Sequence, residues 1–186
     1  MDPTDQLIVL TEVGVALAGF AGVVASFRFK AGARVSRGNV LGLSMMITIG
    51  LIVAFFSLLP LALLNFGLER QLVWGICSGL HGLNYTAFGM DTQRRLRKVQ
   101  VRKRSSLWML KVLIPIGGYG VAVALYLNAM GVVFHREFGV YFIALVVPLI
   151  LSGYMFVRLV VHPLWKAVRE RESLGKKERE DRGTGT

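Results

Sequence analysis

The chain has 186 residues, of which 54% are hydrophobic and only 18% are charged, with a formal net charge of +11. A water-soluble domain of this length carries more polar residues. The hydrophobic residues also fall in blocks of about 20, the length of helix that crosses a hydrocarbon core of about 30 Å. The composition therefore excludes an ordinary soluble domain and predicts an all-α membrane bundle.

Five hydrophobic segments follow one another along the chain, at residues 7–27, 40–66, 71–90, 107–133 and 138–161. We expect residues 1–161 to form a five-span bundle and residues 162–186 to form a basic, mixed-charge tail. The third segment is the weakest, because His81, Asn84 and several glycines dilute its hydropathy. If it lay in the membrane interface, the chain would have four spans.

The basic residues favour five spans over four. They concentrate in three segments, at residues 28–39, 91–106 and 162–186, whereas each of the other two connections holds one, Arg70 or Arg136. Five crossings place all three rich segments on one side, which the positive-inside rule makes the cytoplasm. We therefore predict an N-terminus outside, a cytoplasmic C-terminus, and no cleavable signal peptide, because the basic cluster follows the first hydrophobic run.

The connection between the third and fourth segments is the most basic part of the chain. It is expected to contact anionic lipid headgroups, each basic residue contributing about 1 kcal/mol. A phosphorylated ligand is an alternative, although no glycine-rich cradle accompanies the charges. The placement of basic residues on the cytoplasmic side accounts for the positive net charge of the chain, so we expect no binding of a specific nucleic acid. The predicted contact residues are Arg94, Arg95, Arg97, Lys98, Arg102, Lys103 and Arg104.

Small residues dominate the first segment and recur in the third. Inside a bilayer, helices associate through close packing, which small residues allow. We therefore expect the first helix to lie at an assembly interface or beside a pore, with the third helix as its best partner within the monomer. The predicted packing residues are Gly14, Ala18, Gly19, Ala21, Gly22 and Ala25 in the first helix and Gly75, Gly79 and Gly82 in the third.

Glu12 lies five residues in from the outer end of the first segment, at the edge of its small-residue arc. An ionisable group within a span is by default a candidate for an ion or proton pathway, although near the interface it can also be a simple anchor. Asn65 and Asn128 are expected at about the same depth. We predict that the three form an outer polar cluster in which Asn128 donates to the carboxyl of Glu12.

The third segment carries His81 near the predicted midplane, with Asn84 on the same side. A histidine there is either bonded to a backbone carbonyl or part of a water-lined path or protonation switch. Cys77 and His81 have a suitable helical spacing for a metal, but no further ligand lies at that depth, so no metal site is expected. No acid is placed to orient a Cys77–His81 pair for catalysis. We expect neither an enzyme nor a cofactor.

Two further segments carry packing and bending signals. The second is long and apolar, and we assign it mainly to lipid contact. The fourth contains Pro115, Gly117, Gly118 and Gly120 in its inner half. Proline and glycine bend or break membrane helices, so a hinge or an unwound stretch is expected there.

In the first segment, Glu12 and Gly14 are separated by one residue, and the sequence ALAGFAG follows at residues 16–22. This pattern resembles the first span of uncharacterised small multipass proteins of bacterial inner membranes. The resemblance covers the first span alone. It implies a bacterial cytoplasmic membrane location and no particular activity.

Three classes of function fit these features. A homo-oligomeric ion channel or pore suits a small chain with one smooth helix and polar groups at several depths. An accessory or scaffold subunit, packed on another membrane protein, is the main alternative. A small transporter is a further one, although no internal duplication or pair of interrupted segments supports it.

Overall fold

The computed structural model describes residues 2–30, 37–98 and 107–157. Within these ranges the chain forms five α-helices and no β-strand, which confirms the predicted all-α fold for this part of the protein. The helices are α1 (Pro3–Lys30), α2 (Arg37–Asn65), α3 (Arg70–Lys98), α4 (Leu107–Met130) and α5, which is described over Phe138–Val157. The tail at residues 162–186 lies outside the described residues.

Three of the helices are long and apolar enough to cross a membrane: Pro3–Phe27 within α1, Gly42–Asn65 within α2, and Phe138–Val157 in α5. They have 25, 24 and 20 residues. At 1.5 Å per residue, about 20 residues cover the hydrocarbon core. Length and composition thus agree with a membrane protein.

The helix α3 is more polar than these three, and its structure explains why. Its polar residues Ser78 and His81 point inward and are fully buried. Its outward side is apolar and exposed, with the stripe Leu72, Ile76, Leu80, Leu83 and Met90. On a surface helix in water the polar groups would face outward, so the arrangement of α3 is the reverse of that pattern.

The first two helices pack together through glycines. An ideal Cβ on Gly14 would lie 2.7 Å from the carbonyl oxygen of Gly50 and 3.2 Å from the backbone nitrogen of Ala54, so only glycine allows this approach. Further along α1, Ala18 meets Gly50, and Ala21 is fully buried in a cluster with methionines of α2. The small-residue stripe Gly14, Ala18, Ala21 and Ala25 therefore faces α2. The second helix, which we assign mainly to lipid contact, thus also provides the surface on which α1 packs.

The glycine stripe of α3 packs against α4 and the turn that follows it. An ideal Cβ on Gly79 would contact the Cβ of Ala129 at 3.7 Å, and one on Gly82 would lie 3.2 Å from the ring of Tyr126. At the end of the stripe, Gly75 lies under the side chain of Arg136. The expected pairing of this stripe with the first helix is thus wrong, because each stripe already has another partner.

The fifth helix joins the two pairs. Tyr141 of α5 is fully buried and donates its hydroxyl hydrogen to the backbone carbonyl of Phe56 in α2. In the other direction, the Tyr85 hydroxyl of α3 donates to the carbonyl of Ala144 in α5, at 3.0 Å. These bonds, together with the shared apolar core around Leu145, make one bundle of the described helices.

The helix α4 is continuous from Leu107 to Met130, so the unwound stretch expected near residues 115–120 is absent. The Cβ positions of Gly117, Gly118 and Gly120 are open, with no neighbouring atom of the described residues within 4 Å. A hinge motion at these glycines and Pro115 stays a prediction. Among the predicted headgroup contacts, Arg94 is exposed on α3, and the other six side chains lie outside the described part.

Replacing Gly14 by alanine tests the close approach of α1 and α2. The added methyl meets backbone atoms that cannot rotate away, so we expect Gly14→Ala to lower the free energy of unfolding by about 1–3 kcal/mol. Equilibrium unfolding in mixed detergent micelles measures it. Gly153→Ala is the matched control, because its Cβ position is open and alanine there keeps or slightly raises stability. Equal stability of the two variants would contradict the packing described.

Candidate functional site

A histidine surrounded by aromatic rings occupies the centre of the bundle. His81 has no exposed surface. The centroid of its ring lies 4.4 Å from that of Phe56 on α2, 5.1 Å from that of Tyr85 on α3 and 5.7 Å from that of Tyr141 on α5. We call Phe56, Tyr85 and Tyr141 the aromatic cage. Three helices thus meet at one imidazole.

The cage is held in place by its own hydrogen bonds. The hydroxyl groups of Tyr85 and Tyr141 each donate to a backbone carbonyl of another helix, which fixes both rings. Trp74 packs against the ring of Tyr141, and the centroids of the two rings are 6.0 Å apart. Buried tyrosines are expected to find such partners, because an unpaired hydroxyl is costly. The rings around His81 therefore have little freedom to move away from it.

Neither ring nitrogen of His81 has a hydrogen-bond partner within the described ranges. The structural role considered for this residue, a bond to a backbone carbonyl, is therefore not what the structure gives it. A neutral imidazole carries one donor and one acceptor, and each costs about 1–3 kcal/mol when buried without a partner. Such a residue stores unfavourable energy in the closed bundle, which marks it as a functional candidate.

Cys77 lies one turn before His81 on the same side of α3 and is also fully buried. Its thiol interacts with the hydroxyl of Tyr141. In the part of the chain that the structure describes, no three His, Cys, Asp or Glu residues come together in a way that could hold a metal ion. The environment of Cys77 and His81 is thus one of aromatic rings and hydroxyl groups. Asn84, on the next turn, is only half-buried.

Asn128 bonds to Ser78 on α3 and to Glu137 in the turn before α5, and not to Glu12. We call Asn128, Ser78 and Glu137 the Asn128 clasp. The amide nitrogen of Asn128 donates to Ser78 Oγ at 2.8 Å and to the carbonyl oxygen of Glu137 at 3.0 Å, while its amide oxygen accepts from the Glu137 backbone at 2.9 Å. Both amide hydrogens are used. Asn65 is exposed at the end of α2. The predicted outer polar cluster of Glu12, Asn65 and Asn128 is therefore wrong.

Glu12 lies on the side of α1 that points away from α2. It shares this side with Ala16, Gly19 and Val23, spaced at i, i+4, i+7 and i+11, and all four are exposed. We call these four residues the outer face of α1. Among the described residues, no atom lies within 4 Å of a Cβ built on Gly19 or on the neighbouring Gly22. The small-residue arc of the sequence is thus two surfaces, one covered by α2 and one open.

The outer face combines a carboxyl group with small side chains. In a bilayer, an acidic residue at a helix centre costs about 2.5–3.5 kcal/mol when it faces lipid, and less towards the interface. Small residues gain little from lipid contact but allow another helix to come close. The composition of this face therefore suits a second helix or a wet surface better than hydrocarbon.

Several residues of the site were not found by sequence reasoning. Gly50, Phe56 and Tyr141 belong to long apolar runs in which no spacing distinguishes them. Ser78 lies between the glycines of the third segment and was not singled out, yet it accepts a hydrogen bond from Asn128 of α4. Tyr141 offered one signal, because a tyrosine within a span requires a buried acceptor for its hydroxyl. The identity of that acceptor depends on the tertiary packing.

Removing Asn128 tests the clasp. Hydrogen bonds between membrane helices average about 0.6 kcal/mol, so Asn128→Ala, which loses three, is expected to lower the free energy of unfolding by about 1–2 kcal/mol. Ser78→Ala loses one of these bonds and should cost less. Unfolding in mixed micelles measures both, with Asn65→Ala as the exposed control. A double variant, Ser78→Ala with Asn128→Ala, no less stable than Asn128→Ala alone would support the shared bond; strictly additive losses would contradict it.

Two groups of polar residues stand out among the described residues: the buried set of His81, its cage and the Asn128 clasp, and Glu12 on the open outer face. No known protein family, curated protein or solved structure matches this chain. Its possible chemistry is thus the chemistry of these two sets: a buried, titratable ring and a carboxyl group on an uncovered helix surface.

Proposed function

We propose that the chain is a five-span protein of the bacterial cytoplasmic membrane that assembles as a homo-oligomeric ion channel or pore, with the outer face of α1 at the assembly interface or along the pore. One observation carries this proposal. Glu12 is exposed within a mainly apolar span, close to Gly19 and Gly22, whose Cβ positions have no neighbouring atom within 4 Å among the described residues.

Five crossings are supported by the surfaces of the helices. Besides the three apolar helices, α3 presents the apolar stripe from Leu72 to Met90 on its outside. Its partner α4 also exposes large apolar side chains, including Val123 and Met130. Hydrocarbon contact accounts for both surfaces. The basic residues between α3 and α4 and in the tail then mark the cytoplasmic side, where they contact anionic headgroups.

A second copy of the chain is the occupant that best suits the outer face. A cyclic oligomer places the same face of every copy around one axis, so each α1 meets a neighbouring α1 or a central opening. The small side chains of Ala16 and Gly19 permit that approach, and Glu12 leaves the lipid for a protein or water environment. A ring of carboxyl groups at the outer end favours cations over anions.

The alternatives differ in what they require of the same face. An accessory subunit would cover it with another membrane protein, and the monomer would carry no ions. A transporter is expected to contain interrupted helices at its binding site. The continuity of α4 across residues 115–120 removes the segment that best fitted that description. The channel and the accessory subunit therefore remain the two readings to separate.

Cysteine accessibility, measured in a Cys77→Ser background, tests the proposed topology. Glu69→Cys and Glu137→Cys are expected to react with a membrane-impermeant thiol reagent added outside cells, because both positions lie in outer connections. Gln100→Cys and Ser173→Cys are expected to react only after the membrane is permeabilised. Labelling of Gln100→Cys from outside would overturn the five-span arrangement.

Substitutions on the outer face of α1 test the proposed assembly. Gly19→Leu is expected to lower the oligomer fraction on blue-native gels and to reduce cation flux into liposomes about tenfold or more, since losing 1.4 kcal/mol of packing per contact suffices for that factor. Glu12→Gln should preserve the oligomer and reduce cation selectivity. Gly139→Leu is the matched control, because this glycine on α5 is equally open.

The outcomes separate the two readings. A native protein that runs as a ring and loses it only in Gly19→Leu supports the pore. A monomer without flux, in native protein and variants alike, refutes the pore and leaves the accessory subunit.

A further inference from the structure

We propose that His81 makes the bundle sensitive to acid: uptake of a proton by its imidazole opens the aromatic cage and separates α5 from α2 and α3 at that level. This inference goes beyond the proposed pore and does not depend on what covers the outer face of α1. It rests on the position of His81, which is fully buried at the meeting point of three helices and whose ring nitrogens have no partner in the described part of the chain.

A charged imidazolium would have two N–H donors and no carboxylate in the cage to pair with. Neither ring nitrogen has a partner among the described residues, and the carbonyl of Phe56 already accepts from Tyr141. The π-faces of the three rings attract a cation, but this attraction is weaker than the hydration that a buried ion loses. The proton is therefore held far better in an open arrangement, in which water reaches the ring.

The other titratable groups around His81 do not supply a counter-charge. The described residues place the thiol of Cys77 and the phenol of Tyr85 on its own helix and the phenol of Tyr141 on α5, while α2 contributes the ring of Phe56. Thiols and phenols are neutral at and below pH 7. Acidification thus changes the charge of His81 alone within this group.

The opening has a defined path. The rings of Tyr141 and Tyr85 lie beside His81, and their hydroxyl groups make the bonds to Phe56 and Ala144. Water that enters the cage would therefore also compete for these two carbonyls. Once the bonds are lost, the contact of α5 with α2 and α3 depends on apolar packing, which is weak as a driving force within lipid. Opening also uncovers Cys77, one turn away, and this gives the event a natural reporter.

The sign and size of the effect follow from proton linkage. The open form binds one proton more than the closed form at low pH, so the ratio of open to closed rises as the pH falls. A water-exposed imidazole is half protonated near pH 6.5. Between pH 7.5 and pH 5 the ratio is therefore expected to rise about 30-fold, as long as the closed form stays unprotonated.

The reactivity of Cys77, the single cysteine of the chain, measures this opening in the full-length protein in micelles. 4,4′-Dithiodipyridine reacts with thiols over the whole pH range, and a buried thiol reacts only when the bundle opens. Dividing its rate by that of an open position, Gly139→Cys in a Cys77→Ser background, cancels the pH dependence of the thiol and reagent. We expect this ratio to rise about 30-fold from pH 7.5 to pH 5.

Substitution of His81 locates the proton. His81→Phe fills the cage with a ring that does not titrate, and the rise is expected to disappear; His81→Leu serves as a second apolar variant. Glu12→Gln and His135→Asn change titratable groups outside the cage and should keep the rise. A constant ratio in the native protein, or an undiminished rise in a folded His81 variant, overturns the proposal. If neither His81 variant folds, the control variants decide. Loss of the rise in the Cys77 reactivity ratio in His135→Asn would overturn the proposal. The same rise in the native protein and in both control variants would support it.

Discussion

Hydrocarbon offers a helix neither hydrogen bonds nor a hydrophobic force that drives it towards another helix, and this constraint accounts for the contacts of the bundle. The described helices meet where side chains are small, as at Gly14 and Gly50, or where one polar group reaches an acceptor on a neighbour, as from Tyr141 to Phe56. Close packing of small residues and a few hydrogen bonds act together with the apolar core around Leu145. Large apolar side chains are correspondingly left on the outside.

Two of the departures from this constraint concern titratable side chains. Among the described residues, His81 is enclosed with ring nitrogens that have no partner, and Glu12 is exposed on an apolar helix. The first lies inside the monomer, where the described contacts keep it enclosed. The second lies on a surface that a monomer leaves bare. One small bundle thus holds a buried histidine without hydrogen-bond partners and an uncovered helix surface. The proposal of acid sensitivity concerns the first, and the proposal of self-assembly concerns the second.

Sequence reasoning identified the elements far better than their partners. Block lengths set by membrane thickness predicted five helices, and helical spacing singled out the stripe of Gly14 and Ala21 as a packing surface. Depth could be counted along each helix, but the rotation of one helix against another could not. Glu12, Asn65 and Asn128 were therefore grouped by depth, although Asn128 faces Ser78 and Glu12 faces outward. The partner Gly50 was hidden within an apolar run assigned to lipid.

The Asn128 clasp also bears on the order in which the contacts of the bundle form. It joins residues nine positions apart, across the short turn between α4 and α5, whereas the bond from Tyr141 to Phe56 spans 85 positions. Contacts between near neighbours close first, because they cost less loop entropy. The pair of α4 and α5 is therefore the part of the bundle in which a polar contact can form earliest. The helix α3 is held to this pair by the bond from Asn128 to Ser78, across 50 positions of the chain.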